Sequence, residues 1–124
     1  MKELDYDVVL ECVPEMMFRS QGVILPSLPV FKDHFPEFPV VPGVLALEIL
    51  KRGIENCLGI RRNRLRLIRA DHVRFQHFLR PGETWECQVT RMTPPSEGRS
   101  TWSGTLKVQT RRAVSAQLLV DQTY

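Results

Sequence analysis

Between residues 99 and 121 the apolar positions recur every second residue. Trp102, Gly104, Leu106 and Val108 alternate with Thr101, Ser103, Thr105 and Lys107, and beyond the turn at "TRRA" Val114, Ala116, Leu118 and Val120 alternate with Ser115, Gln117 and Asp121. A period of two marks strands that bury one face, so the stretch predicts a hairpin. Trp85, Cys87 and Val89 alternate in the same way with Glu86, Gln88 and Thr90, and the turn-rich "TPPSEGR" separates that strand from the hairpin. Further upstream, the alternation at Leu65/Leu67 and again at Val73/Phe75 is interrupted by a slip between the two pairs, which predicts a strand with a bulge or bend near Ile68 to Ala70, turned at its end by "RPGE" at 80 to 83. "MMFRSQGVIL" reads as an irregular strand. Only residues 43 to 58 have helical spacing, with Val44, Leu47, Leu50/Lys51, Ile54 and Leu58 recurring at three and four, Pro42 at the entry and Gly59 at the exit. The expected order is strand, Pro-rich loop, helix, then four strands. That order makes an α+β domain over residues 1–124, a curled antiparallel sheet wrapped on its helix.

Composition narrows the class without naming a function. Hydrophobic residues make up 43% and charged residues 25% of the 124, ordinary globular values that set disorder and fibrous classes aside. No apolar run reaches spanning length, so no membrane insertion is expected, and the acidic start "MKELDYDVVLECVPEMM" lacks the basic and apolar regions of a signal peptide. Cys12, Cys57 and Cys87 are odd in number and widely spaced, which argues against a disulfide framework or zinc site and fits a reducing cytoplasm. The net charge is only +3, yet Arg61, Arg62, Arg64, Arg66, Arg69, Arg74 and Arg80 crowd one segment. Either they form a solvated sheet face or they meet an acidic partner. No stacking-aromatic pattern accompanies them, so nucleic acid is not the expected partner.

Candidate chemistry centres on "DHFPEFPVVPGVLALEIL", residues 33 to 50. Glu48 is the single carboxylate within an apolar helical run; on spacing alone, an exposed residue paired with Arg52 at i+4 explains it. His34 taken alone is equally well explained as a loop histidine satisfied by backbone. Together they suggest more, because Pro36, Pro39 and Pro42 stiffen the chain between them and fix His34 relative to the helix. At Pro42-Gly43 the helix starts with bare backbone donors, suited to an oxygen that gains negative charge. Glu48 follows Gly43 by about 7.5 Å of helix rise, and its side chain leans back toward that end. An imidazole, a carboxylate and an oxyanion site in reach of one small substrate can remove a proton beside a carbonyl. His72, His77 and Asp71 read as structural, and Trp85 and Trp102 as core or interface residues.

"HFPEFPVVPGVLALE" resembles the signature of the 3-hydroxyacyl-(acyl-carrier-protein) dehydratases: His-Phe-Pro, a further Pro, Pro-Gly-Val-Leu, and an acidic residue fourteen after the histidine. "ADHVRFQHFLRPGETWECQV" is similar to the family's second segment, and the likeness runs from about residue 15 to 120. The resemblance implies the hotdog fold, a dimer with the acyl tunnel at its interface, and in some members a trimer of dimers. It implies His34 as the base at C2, Glu48 as the group that protonates or orients the departing hydroxyl, the Gly43 N–H as holder of the thioester oxygen, and the Val40 carbonyl as the anchor of the imidazole tautomer. Phe35, Pro42, Val44 and Leu45 would line the site. The implied substrate is a 3-hydroxyacyl thioester on acyl carrier protein, with no cofactor and no metal; Arg61, Arg62, Arg64 and Arg66 become the expected docking surface for that acidic carrier.

Three positions depart from the family pattern: Glu37 replaces the usual Gly, Phe38 the usual Arg, and Arg52 the Gln that commonly follows the acidic residue by four. Two other readings share the fold. A hotdog thioesterase would hydrolyse the thioester and release free thiol, and a non-catalytic subunit would bind acyl chains or carrier without turnover.

Overall fold

A computed structural model of the chain describes residues 8–23, 43–61, 64–77, 79–80 and 82–122. Among these, the elements run β1 (Val8–Val13), β2 (Met17–Val23), α1 (Gly43–Leu58), β3 (Arg66–Phe75), β4 (Thr84–Arg91), β5 (Arg99–Val108) and β6 (Arg111–Asp121). The six strands pair antiparallel in one sheet of order β1-β2-β4-β5-β6-β3. Helix α1 packs on β2, β4, β5 and β6. This is the hotdog fold.

The alternation in β4 to β6 becomes the buried face of the sheet. Cys87 lies opposite Leu106 and Val89 opposite Gly104; on the other side of β5, Leu106 faces Val114 and Trp102 faces Leu118. All of these except Gly104 belong to the hydrophobic core, with Ala46, Ile49, Leu50, Ile54 and Cys57 of α1. Each Val, Leu or Ile side chain among them, fully withdrawn from water, contributes about 1.5–3 kcal/mol before the entropy of ordering it is counted. Trp102 is buried without an unmet donor, because its Nε1–H donates to Ser100 Oγ at 2.8 Å.

The arc of α1 that meets the sheet differs from the expected stripe. Ala46, Ile49, Leu50, Gly53, Ile54 and Cys57 are buried, whereas Leu47, Lys51 and Leu58 are half-buried. The helix is apolar around more than half its circumference, so spacing alone does not choose the arc. Close approach does: a Cβ on Gly53 would lie 3.1 Å from Cys87 Sγ. At the C-terminus, Gly59 (φ 68°) donates to the Asn56 carbonyl and Ile60 to the Glu55 carbonyl, the paired bonds that close a helix on a left-handed glycine.

Two features of the sheet depart from expectation. β1 is an additional strand; all six of its residues, "VVLECV", are exposed, so no buried face imposes an alternation that a sequence pattern could reveal. β3 slips register between Leu67 and Arg69, where a bulge was expected, and again between Asp71 and Arg74, with His72 at φ 52°. Among the described strands, β1 and β3 form the two edges of the sheet.

Candidate active site

The expected site residues separate by location. His34, Phe35, Val40 and Pro42 lie outside the described residues, as do Glu37, Phe38 and Arg62. Gly43 opens α1, where the first-turn N–H groups have no acceptor within the helix. The Val44 backbone continues that turn, and Leu45 is half-buried against the core. Glu48 follows on the arc turned away from the sheet, with about a third of its side chain exposed (36%). A carboxylate there keeps contact with water while its apolar neighbours pack inward.

The ion pair of Glu48 involves a residue outside the expected site. Lys51 Nζ lies 3.9 Å from Glu48 Oε1, and also 3.9 Å from Glu55 Oε2, so one ammonium stands between two carboxylates at i, i+3 and i+7. Its side chain is 13% exposed and that of Glu55 only 3%. Glu55 Oε2 also accepts the N–H of Leu65, at 3.4 Å. The helix face that carries Glu48 is thereby tied to the segment leading into β3. Burying a carboxylate is costly unless it is paired and hydrogen-bonded, and Glu55 has both kinds of partner. The i, i+3, i+7 spacing was the only sequence signal for this row, and it fits a solvent-facing series of ion pairs equally well. Arg52, expected beside Glu48, is half-buried.

Of the arginines expected to form a docking surface, Arg61, Arg64 and Arg66 are all exposed. Arg66 reaches Asp121 at 3.5 Å, and Arg99 joins the same carboxylate at 3.6 Å. Asp71 pairs with Arg69 at 2.7 Å on the exposed side of β3. A cleft of about 530 Å³ opens at the start of β4, and the described residues that line it, such as Glu83, Trp85, Glu86 and Lys107, include none of the expected site residues. Burial pushes the Cys87 thiol up to about 12, so this core cysteine is an inert thiol at neutral pH. Among the described residues, no group of three or more His, Cys, Asp or Glu could hold a metal ion, and no helix is long and apolar enough to cross a membrane.

Residues 13–115 match the family model of the ApeI-like proteins, described as ApeI dehydratase. The chain belongs to this ApeI-like dehydratase family. Among curated relatives, it is 31% identical over 121 residues to the 3-hydroxyacyl-(acyl-carrier-protein) dehydratase FabZ of Chloroflexus aggregans, covering 93% of this chain and 78% of that one. It is 28% identical to the FabZ of Chlamydia pneumoniae, covering 98% and 81%. A shorter match, 42% identical over 65 residues, reaches the FabZ of Oceanobacillus iheyensis and spans 46% of that protein. The fold of this ApeI-like chain is also that of the dehydratase heterocomplex ApeI:P from Xenorhabdus doucetiae, with a TM-score of 0.70 at 16% identity over 94% of this chain and 80% of the other. A hypothetical thioesterase protein from Streptococcus pneumoniae, solved with coenzyme A, has the same fold, with a TM-score of 0.70 at 6% identity, covering 91% and 82%.

Proposed function

We propose that this ApeI-like dehydratase removes water from a 3-hydroxyacyl thioester carried on acyl carrier protein and releases the trans-2-enoyl thioester. The observation that supports it most is the position of Glu48: a partly exposed carboxylate on the outward arc of α1, five residues from the helix start and fourteen after His34. His34 takes the proton from C2, the electron pair forms the C2=C3 bond, and hydroxide leaves C3 as water with the proton of Glu48. Charge that gathers on the thioester oxygen in between is held by the Gly43 N–H. Each positioned proton transfer supplies roughly a hundred- to ten-thousand-fold, and an oxyanion donor a similar amount. The Val40 carbonyl fixes the His34 tautomer, and Phe35, Pro42, Val44 and Leu45 line the acyl path. Every step is a proton transfer among these groups and the substrate, so the scheme calls for no metal, nicotinamide or flavin.

In this reading residues 1–124 act as one hotdog domain in the cytoplasm, and the working unit is a homodimer or a trimer of dimers. Among the described strands β3 is an outer one whose residues are exposed or half-buried, and a second copy would pair along that edge. In the same reading, His34 of one copy works with Glu48 of the other. Arg61, Arg62, Arg64 and Arg66 receive the acidic carrier. The test is hydration of trans-2-enoyl thioesters, on carrier protein and on coenzyme A, followed by loss of enoyl absorbance in wild type, His34→Ala and Glu48→Gln. Turnover by wild type alone, without free thiol, is expected. Release of thiol would make the protein a thioesterase, and binding without turnover at any chain length would make it a carrier-binding subunit.

A further inference from the structure

We infer that Lys51 is a positioning residue for Glu48, and that the buried Glu55 holds Lys51 in place. The inference rests on the reading of Glu48 as proton donor to the leaving hydroxyl. Lys51 is not a free surface lysine: its side chain is 13% exposed and its ammonium stands 3.9 Å from each of two carboxylates. Glu55 is anchored at both ends of its function. Its own helix turn places it on the arc of Glu48, and its Oε2 accepts the Leu65 N–H across the connection to β3. Leu65 is itself in the core at 2% exposure, so the acceptor has a fixed donor. The chain of contacts therefore runs from a rigid core residue, through a buried carboxylate and a largely buried ammonium, to a carboxylate with about a third of its surface open (36%).

Such a chain can restrict where the Glu48 carboxyl points. It also answers an electrostatic difficulty. A bare cation beside Glu48 would favour the ionised carboxylate and so weaken it as a donor. Glu55, 3.9 Å from the same ammonium, offsets that charge, so Lys51 can orient the Glu48 carboxyl as an ion-pair partner while its net field there is reduced. A misplacement of about 1 Å at a reacting group can cost on the order of a hundredfold in rate. Loss of Lys51 should therefore be felt at the step in which Glu48 gives up its proton, and not at the step performed by His34.

A change of leaving group separates those two steps. Hydroxide must be protonated as it departs from C3, whereas chloride leaves as the anion. Removal of the C2 proton by His34 is common to both. Enzyme-catalysed elimination is measured above the buffer rate from 3-hydroxyacyl- and 3-chloroacyl-coenzyme A of one chain length, with wild type, His34→Ala, Glu48→Gln, Lys51→Gln, Lys51→Arg and Glu55→Gln. His34→Ala is expected to lose both activities and Glu48→Gln only the hydroxyl reaction. Lys51→Gln should lower kcat for the hydroxyl substrate about ten- to a hundredfold, with KM and chloride elimination within about twofold of wild type. Lys51→Arg, which keeps the charge, should recover most of the rate. Glu55→Gln, which keeps an acceptor oxygen for Leu65 at nearly unchanged volume, should show the same selective loss. If Lys51→Gln and Glu55→Gln slow both substrates alike, or neither, while Glu48→Gln remains selective, the positioning role is overturned. If Glu48→Gln spares the hydroxyl reaction or slows both, the donor reading itself fails.

Discussion

Gly22 offers a sharp test of the packing around β4. It lies opposite Trp85 in the β2–β4 ladder, and the indole covers the space where a side chain would stand. A Cβ built on Gly22 would sit 2.4 Å from Cζ2, 2.8 Å from Cε2 and 3.1 Å from Cη2 of Trp85. Carbon atoms in contact rest about 3.5–4.0 Å apart, so the ring must retreat by about 1 Å. Trp85 is 3% exposed and cannot swing aside as a flexible side chain would. Overpacking of this kind costs about 1–3 kcal/mol, and the entropy removed from the unfolded chain by Gly→Ala returns about 0.4–1 kcal/mol. Gly22→Ala should therefore destabilise the fold by about 1–2 kcal/mol, equivalent to a fall in Tm on the order of 4–8 °C for a domain of this size. Melting followed by circular dichroism and tryptophan fluorescence, at one protein concentration, measures it. A Tm within about 1 °C of wild type would refute the reasoning, since the clash then relaxes without cost.

Three further outcomes follow from the same structure. Burial raises the Cys87 thiol to about 12, so the unfolded chain releases that proton first as pH rises. Below about pH 9 the stability is intact, and above it the contribution is lost at up to about 1.4 kcal/mol per pH unit; urea unfolding of Cys87→Ala between pH 8 and 10 should show a flatter dependence than wild type. Gln109 and Thr110 both have positive φ in the β5–β6 turn, at 50° and 67°. Replacing them by Asn-Gly should raise stability by about 1 kcal/mol in the same assay. Reversing charge at Arg61 and Arg64, both exposed, should weaken turnover of carrier-bound substrate in a salt-dependent way and leave the coenzyme A substrate unchanged. Equal loss on both substrates would assign those arginines to the fold.

How far the fold could be read in advance depended on what each element buries. β4, β5 and β6 were legible because each turns one face to α1, and residues such as Cys87, Leu106 and Leu118 keep strict period two. β1 was not, because both of its faces meet solvent. The bounds of α1 were legible because Gly59 is a local signal, closed by local hydrogen bonds. The side of α1 that faces the sheet was not, because the fit of Gly53 under Cys87 and Val89 is a tertiary fact. The family signature could be read because it is a fixed local spacing. Glu55 escaped because its burial is a tertiary fact, fixed by the Leu65 N–H that meets its Oε2. The pairing of Glu48 with Lys51 at i+3 is one of two rotamer-dependent choices that spacing cannot rank.

The claim that Glu48 works with His34 of a second copy is tested most directly by subunit complementation. His34→Ala and Glu48→Gln proteins, each inactive alone, are co-expressed, and enoyl thioester hydration is measured on the mixed dimers. With random pairing, half the dimers are mixed and each of those regains one intact site, so activity of about a quarter of wild type is expected. A mixture that stays as inactive as its parents, although tagged pull-down proves the mixed dimers exist, would place both groups within one chain and contradict the shared site.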